Sequence, residues 1–196
     1  VRLYMARVLR RFDQTSRSFF AIGDENSCFA GSLLEVLLAA DRSYFLDQPK
    51  APVRLGVGSL SDGALPHTTG KSRLAMRFLD KPEAVQALLA KQKTGGILDA
   101  SEADELGLIT FLLDDLDFED TLRLAIEERV SLSPDALTGM EQNLRCPGSE
   151  GCDSKIFGRL SAWQNWIFIR DNATGEKGAL SSYGKPERPV FDWKRT

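Results

Sequence analysis

Between Gly23 and Asp41 the chain reads G-D-E-N-S-C-F-A-G-S-L-L-E-V-L-L-A-A-D, and from Ser27 to Ala40 Glu35 is the only charged side chain. A helix that is apolar on nearly every side belongs inside a fold, so this run is expected to be buried. A carboxylate placed there loses hydration and must find a partner, hold a raised pKa, or lie at the mouth of a cavity. Ser27 to Ser32, mostly small residues, fall at the expected helix start, where unpaired backbone N–H groups can stabilise an oxyanion. An acid beside bare amide donors is the minimum equipment for chemistry on a polarised carbonyl. The competing account of Glu35 is a structural carboxylate that hydrogen-bonds a backbone amide or an arginine.

The pattern on either side of this run is that of a layered α/β fold. Val1 to Phe12 reads as an amphipathic helix, with Leu3, Tyr4, Val8, Leu9 and Phe12 apolar and Arg2, Arg7, Arg10 and Arg11 polar, leading into a strand at Ser18 to Ile22. After the central helix come a strand at Arg42 to Leu46, a second near Val53 to Leu60, and a Gly/Pro-containing loop from Ser61 to Gly70. Asp80 with Glu83, and Ser101 with Asp104, have capping-box spacing and mark two helix starts. Leu108 to Leu113 has the composition of a buried strand. Asp117 can cap a helix through about Val130, and Ser133-Pro134 opens another through about Leu144. A helix is expected over Ser154 to Ile169, with Phe157, Leu160, Trp163, Trp166 and Ile167 at helical spacing. Beyond Asp171 Gly, Pro and Lys are frequent, and the tail is expected to run extended, with Tyr183, Phe191 and Trp193 buried only if a neighbour covers them.

The Ser27–Asp41 run resembles the G-x-x-x-G-G-G-x-E-L-A-x-x-x-D signature of the crotonase (enoyl-CoA hydratase/isomerase) superfamily without a gap. Gly31 falls on the first glycine of the triplet, Glu35 on the glutamate and Asp41 on the aspartate, while Ser32 and Leu33 replace the other two glycines. The segment I-L-D-A-S-E-A-D-E-L-G-L-I-T (Ile97 to Thr110) is similar to the helix and strand that follow the active-site core in that superfamily. The blocks F-G-R-L-S-A-W-Q-N-W-I-F-I-R-D-N-A-T-G-E-K (Phe157 to Lys177) and Y-G-K-P-E-R-P-V-F-D-W (Tyr183 to Trp193) narrow the resemblance to the C-terminal part of its benzoyl-CoA-dihydrodiol lyase branch.

That resemblance implies a crotonase-like (ClpP/crotonase) spiral of strands and helices, N-terminally incomplete, with a C-terminal helical extension and an extended tail. The parts it implies are a partial core over 1–116, a helical region over 117–170 and a tail over 171–196. It implies a lyase that opens an oxidised, dearomatised benzoyl-CoA ring with release of formate. Glu35 would be the catalytic carboxylate, and Gly31 and the Ser32 backbone N–H the oxyanion and substrate-binding elements. CoA enters as part of the substrate, so no separate cofactor is expected. The partners implied are the acyl-CoA, the preceding part of the same protein, which would carry the second oxyanion donor, and further copies of the chain. The chain by itself is then expected to be inactive. Enoyl-CoA hydratase/isomerase activity, or a non-catalytic half that braces an active one, are the alternatives. The superfamily's second carboxylate has no counterpart, since no Glu lies between Glu35 and Glu83 and Asp62 fits poorly.

Other residues carry less. His67, the only histidine, sits in the Ser61 to Gly70 loop and is expected to be solvated. Cys146 and Cys152 lack the further ligands of a tetrahedral metal site, and three cysteines fit a reducing compartment with free thiols. Trp163 and Trp166 read as core or interface, and Asn172-Ala173-Thr174 as a glycosylation sequon without meaning in a cytoplasmic protein. A net charge of −3 with no basic stripe gives no support for nucleic-acid binding, and no apolar run reaches the roughly 20 residues that span a bilayer. A cytoplasmic location is expected.

Overall fold

The computed structural model describes every residue except Ala51, Asp80, Pro147, Gly148, Ser149 and Thr196. Helix α1 (Arg2–Gln14) buries Ala6, Leu9 and Asp13 and is followed by strand β1 (Phe20–Gly23) and the short β2 (Phe29–Ala30). Gly31 then turns the chain into α2 (Ser32–Ala39), and β3 (Arg42–Leu46) and β4 (Arg54–Gly56) follow. After the 61–70 loop come α3 (Arg73–Arg77), α4 (Pro82–Ala90), β5 (Ile97–Asp99), α5 (Ala100–Glu105) and β6 (Phe111–Leu113).

These strands make two three-stranded sheets. One has the order β1-β3-β6 and is parallel throughout; in the other, ordered β2-β4-β5, β2 and β4 are parallel and β4 and β5 antiparallel. Both belong to a unit formed by Val1–Gln14 and Ser18–Leu124. Its core joins Leu34 and Leu37 of α2 to Phe45, Leu55, Leu74, Leu88 and Leu98, all at most 3% exposed. Asp41, the signature aspartate, holds the sheet together at the helix exit: its carboxylate accepts from the Phe19 amide at 2.6 Å, and its own amide donates to the Phe19 carbonyl at 2.9 Å. Gly23 is required opposite Phe45, because a Cβ there would lie 2.7 Å from the ring.

The second unit, Thr15–Arg17 with Ala125–Thr196, contains the second half of α6 (Phe118–Ser131) and all of α7 (Pro134–Arg145). The expected helix from Ser154 is present as three segments, α8 (Cys152–Lys155), one π-helical stretch at Ile156–Leu160 and α9 (Ser161–Ile167). Trp163 packs on Gly139 of α7, whose missing side chain leaves the indole 3.4 Å from where a Cβ would stand. Trp166 stacks edge-on against Trp163 and lies under the Arg170 guanidinium. The tail opens with α10 (Asp171–Thr174) and is pinned by Asn172, which exchanges two hydrogen bonds with the Asp192 backbone at 2.7 and 3.2 Å. Tyr183 is 88% exposed.

Two expectations are corrected. The central helix, apolar all round in sequence, is covered at Leu34, Glu35 and Leu37 and partly covered at Val36 and Leu38, but Leu33 is 48% exposed. The capping box at α5 is Asp99 with Glu102, not Ser101 with Asp104, because β5 ends at Asp99 and the helix starts at once. Helix α4 begins with Pro82 after Lys81, which offers no side-chain cap; Asp80, the expected cap, lies outside the described residues. No helix among the described residues is long and apolar enough to cross a membrane.

Candidate active site

The site grows from the entry to α2. Gly31 has φ +57° and ψ −122°, a conformation that favours glycine, and it delivers the chain from β2 into the helix without a side-chain cap. The first backbone N–H groups of α2, beginning with that of Ser32, therefore have no side-chain partner from Gly31 and face outward along the helix axis. Glu35 follows one turn later, on the same face as Ser32 by the three-residue spacing.

Glu35 is 2% exposed and is one member of a buried polar cluster built from three helices and a loop. Arg73, the first residue of α3, supplies the cation: its Nη1 donates to Glu35 Oε2 at 3.4 Å and to the Leu65 carbonyl at 2.7 Å. Its Nη2 donates to both oxygens of Asp13, near the end of α1, at 2.9 and 3.0 Å. Asp13 also accepts from the Thr68 amide at 3.0 Å. His67 closes the cluster. The Thr69 amide donates to its Nδ1 at 3.1 Å, so the ring proton sits on Nε2, which faces Asp13 Oδ1 at 3.8 Å. Two atoms in this network, Glu35 Oε1 and Arg73 Nε, are buried without a hydrogen-bond partner.

One cation thus serves two carboxylates, and it serves them unequally. Asp13 receives two short bonds from Arg73 and a backbone amide, whereas Glu35 receives one long contact. Burial pushes the Glu35 carboxyl up to about 7; Arg73 pulls it down, and the charge of Asp13 pushes it up again. Burial likewise lowers the His67 pKa, with Asp13 opposing and Arg73 reinforcing the shift. The cluster thus sets the Asp13–Arg73 pair beside an imidazole whose pKa is lowered and a carboxyl whose pKa is raised to about 7.

Sequence reasoning placed Gly31, Ser32 and Glu35 at one helix mouth, and the structure brings them there. Of the three fates open to a carboxylate at position 35, two hold together: a partner and a raised pKa. His67, expected in solvent, is only 6% exposed, because its ring is tied down by Thr69 and stands over Asp13. Arg73 and Asp13 were not singled out. They come from segments 38 and 60 residues apart from their partners, and no spacing rule links such positions. Asp62 is exposed and lies instead on a cleft of about 410 Å³, walled by Phe78, Leu79, Val85 and Leu89 with Lys71 at its edge; Glu35 is not among the residues lining it. Cys28, Cys146 and Cys152 are free thiols.

No family model matches the chain. Benzoyl-CoA-dihydrodiol lyase from Aromatoleum evansii is 51% identical to it over 191 residues, which is 97% of this chain and 34% of that protein. The chain thus spans about a third of the length of the curated relative it matches. Among solved structures, an enoyl-CoA hydratase from Geobacillus kaustophilus superposes with TM-score 0.68 at 18% identity, over 97% of this chain and 67% of that one. One from Thermoplasma volcanium gives 0.64 at 19% identity, over 94% and 67%, and an enoyl-CoA hydratase/isomerase from Cupriavidus metallidurans gives 0.61 at 23%, over 95% and 68%. At these identities the likeness establishes the fold. The chain has the crotonase fold, and in sequence it is a relative of the C-terminal part of benzoyl-CoA-dihydrodiol lyase.

Proposed function

We propose that this chain is part of a carbon–carbon lyase acting on a CoA thioester, one that opens an oxidised, dearomatised benzoyl-CoA ring and releases formate. The observation that carries this is the 51% identity to benzoyl-CoA-dihydrodiol lyase, which runs through the α2 entry and on into the tail. In this proposal the thioester oxygen accepts from the Ser32 N–H and from a second amide outside this chain. Negative charge that develops on that oxygen is stabilised by the two donors and the α2 dipole. Glu35 moves the proton while water attacks and the ring bond breaks. CoA arrives as part of the substrate. We place the protein in the cytoplasm as a homo-oligomer.

The test uses the full-length protein with ring-oxidised benzoyl-CoA and measures formate. Ser32→Pro removes one N–H at the first helical position, where proline is well tolerated, so the helix persists without the donor. A loss of about 100-fold in kcat with the fold intact is expected from removing one oxyanion donor. Glu35→Gln is expected to lower turnover by a comparable factor. Hydration of crotonyl-CoA in place of formate release would give the assignment to an enoyl-CoA hydratase.

A second account is favoured by one observation: Glu35 is sealed and ion-paired. On this account the chain is a non-catalytic crotonase-like half that braces an active one, and Glu35→Gln leaves formate release unchanged.

A further inference from the structure

We propose that Arg73, gripped by Asp13, is the positioning residue for Glu35: it holds Oε2 and leaves Oε1 as the oxygen that exchanges the proton. This rests on Glu35 being the proton-transfer group in the reaction proposed above. The geometry has three parts. Arg73 cannot swing away from Glu35, because Nη2 is held by both Asp13 oxygens at 2.9 and 3.0 Å and Nη1 by the Leu65 carbonyl at 2.7 Å. The guanidinium plane is therefore fixed, and the remaining reach of Nη1 goes to Glu35 Oε2. Oε1 is buried and has no hydrogen-bond partner. A buried acceptor without a partner is destabilising, and a carboxyl that gains and loses a proton needs one oxygen free of hydrogen bonds.

The division of labour follows from charge. Asp13 balances Arg73, so Glu35 is the member whose charge is surplus and whose protonation can change without leaving a cation unpaired. The groups facing Glu35 are Arg73 from α3, Asp13 from α1 and, behind Asp13, the neutral His67 of the loop. β2 adds only Phe29 and Ala30. Arg73 and Asp13 act on Glu35 with opposite signs, and this makes the proposal testable in a way that a packing role is not.

The experiment is the pH profile of kcat for the full-length protein and its Arg73→Met, Arg73→Lys and Asp13→Asn variants. Arg73→Met is expected to move the limb belonging to Glu35 upward by about one pH unit or more and to lower kcat about tenfold with little change in KM. Arg73→Lys restores part of the shift. Asp13→Asn removes a negative charge near Glu35 while keeping an acceptor for Arg73, and is expected to move the limb downward. If Arg73→Met does not fold, the Asp13→Asn shift decides alone. Limbs that coincide with wild type in every folded variant, while Glu35→Gln is inactive, overturn the positioning role and leave the catalytic role of Glu35 standing. A fully active Glu35→Gln removes the catalytic role itself.

Discussion

Leu33 and Leu34 are adjacent and chemically identical, yet one is 48% exposed and the other fully buried. The difference is only the direction of the side chain on α2. Truncating Leu34 to alanine leaves a cavity among Phe45, Leu55 and Leu98 and is expected to destabilise the protein by about 2–5 kcal/mol. Leu33→Ala is expected to cost less than about 1 kcal/mol. Urea unfolding of the two variants measures the contrast, and equal losses would mean that Leu33 is covered in the protein as it works. At this scale Glu35 was legible because it stands alone among apolar neighbours. Arg73 was not legible: it is one of many arginines, and nothing near it in sequence separates a buried guanidinium from a solvated one. His67 was misjudged for the same reason, since its burial comes from Asp13, which lies 55 residues away from the Thr68 amide it binds.

Elements were more legible than their ends. Period and composition located α1, α2, β3, α6 and α7, because such a pattern runs over the length of an element and tolerates an error of a residue or two at its ends. Caps tolerate none. Asp99 accepts from the Glu102 amide at 2.8 Å, and the Glu102 carboxylate accepts from the Asp99 amide at 3.3 Å; Ser101 and Asp104 have the same spacing and lie inside the helix. Asp99→Ala is expected to lower stability by about 1 kcal/mol and Ser101→Ala by no more than about 0.5 kcal/mol. The reverse order in thermal unfolding would place the start of α5 two residues later. The strand expected over Val53 to Leu60 is confined to Arg54–Gly56 for a reason that only the fold supplies: β4 pairs with a three-residue β5, and the chain then leaves the ladder at Val57, whose amide meets the Gly96 carbonyl at 2.7 Å.

For the whole molecule, the buried cluster couples chemistry to stability through protons, and its two titrating members act in opposite directions. Glu35 has a folded-state pKa of about 7 against 4.5 unfolded, so between these values the folded state binds more protons and stability falls as pH rises. Over the full interval this amounts to about 3 kcal/mol, an upper figure for so buried a group. His67 has a folded-state pKa below 6.5, so below that value the unfolded state binds the proton first and stability falls as pH drops. The two effects oppose each other through the mildly acidic range and flatten the wild-type dependence there. Removing either should expose the other. Glu35→Gln is expected to abolish the decline toward neutral pH, leaving a protein whose stability rises as pH increases toward 6.5. His67→Gln is expected to do the reverse and leave a protein most stable near pH 5. Urea unfolding of the three proteins at closely spaced pH values measures both slopes. Parallel curves for wild type and Glu35→Gln would mean that the carboxyl at position 35 is already ionised well below neutrality. In that case Arg73 would have to neutralise both carboxylates, contrary to the unequal bonding in the cluster.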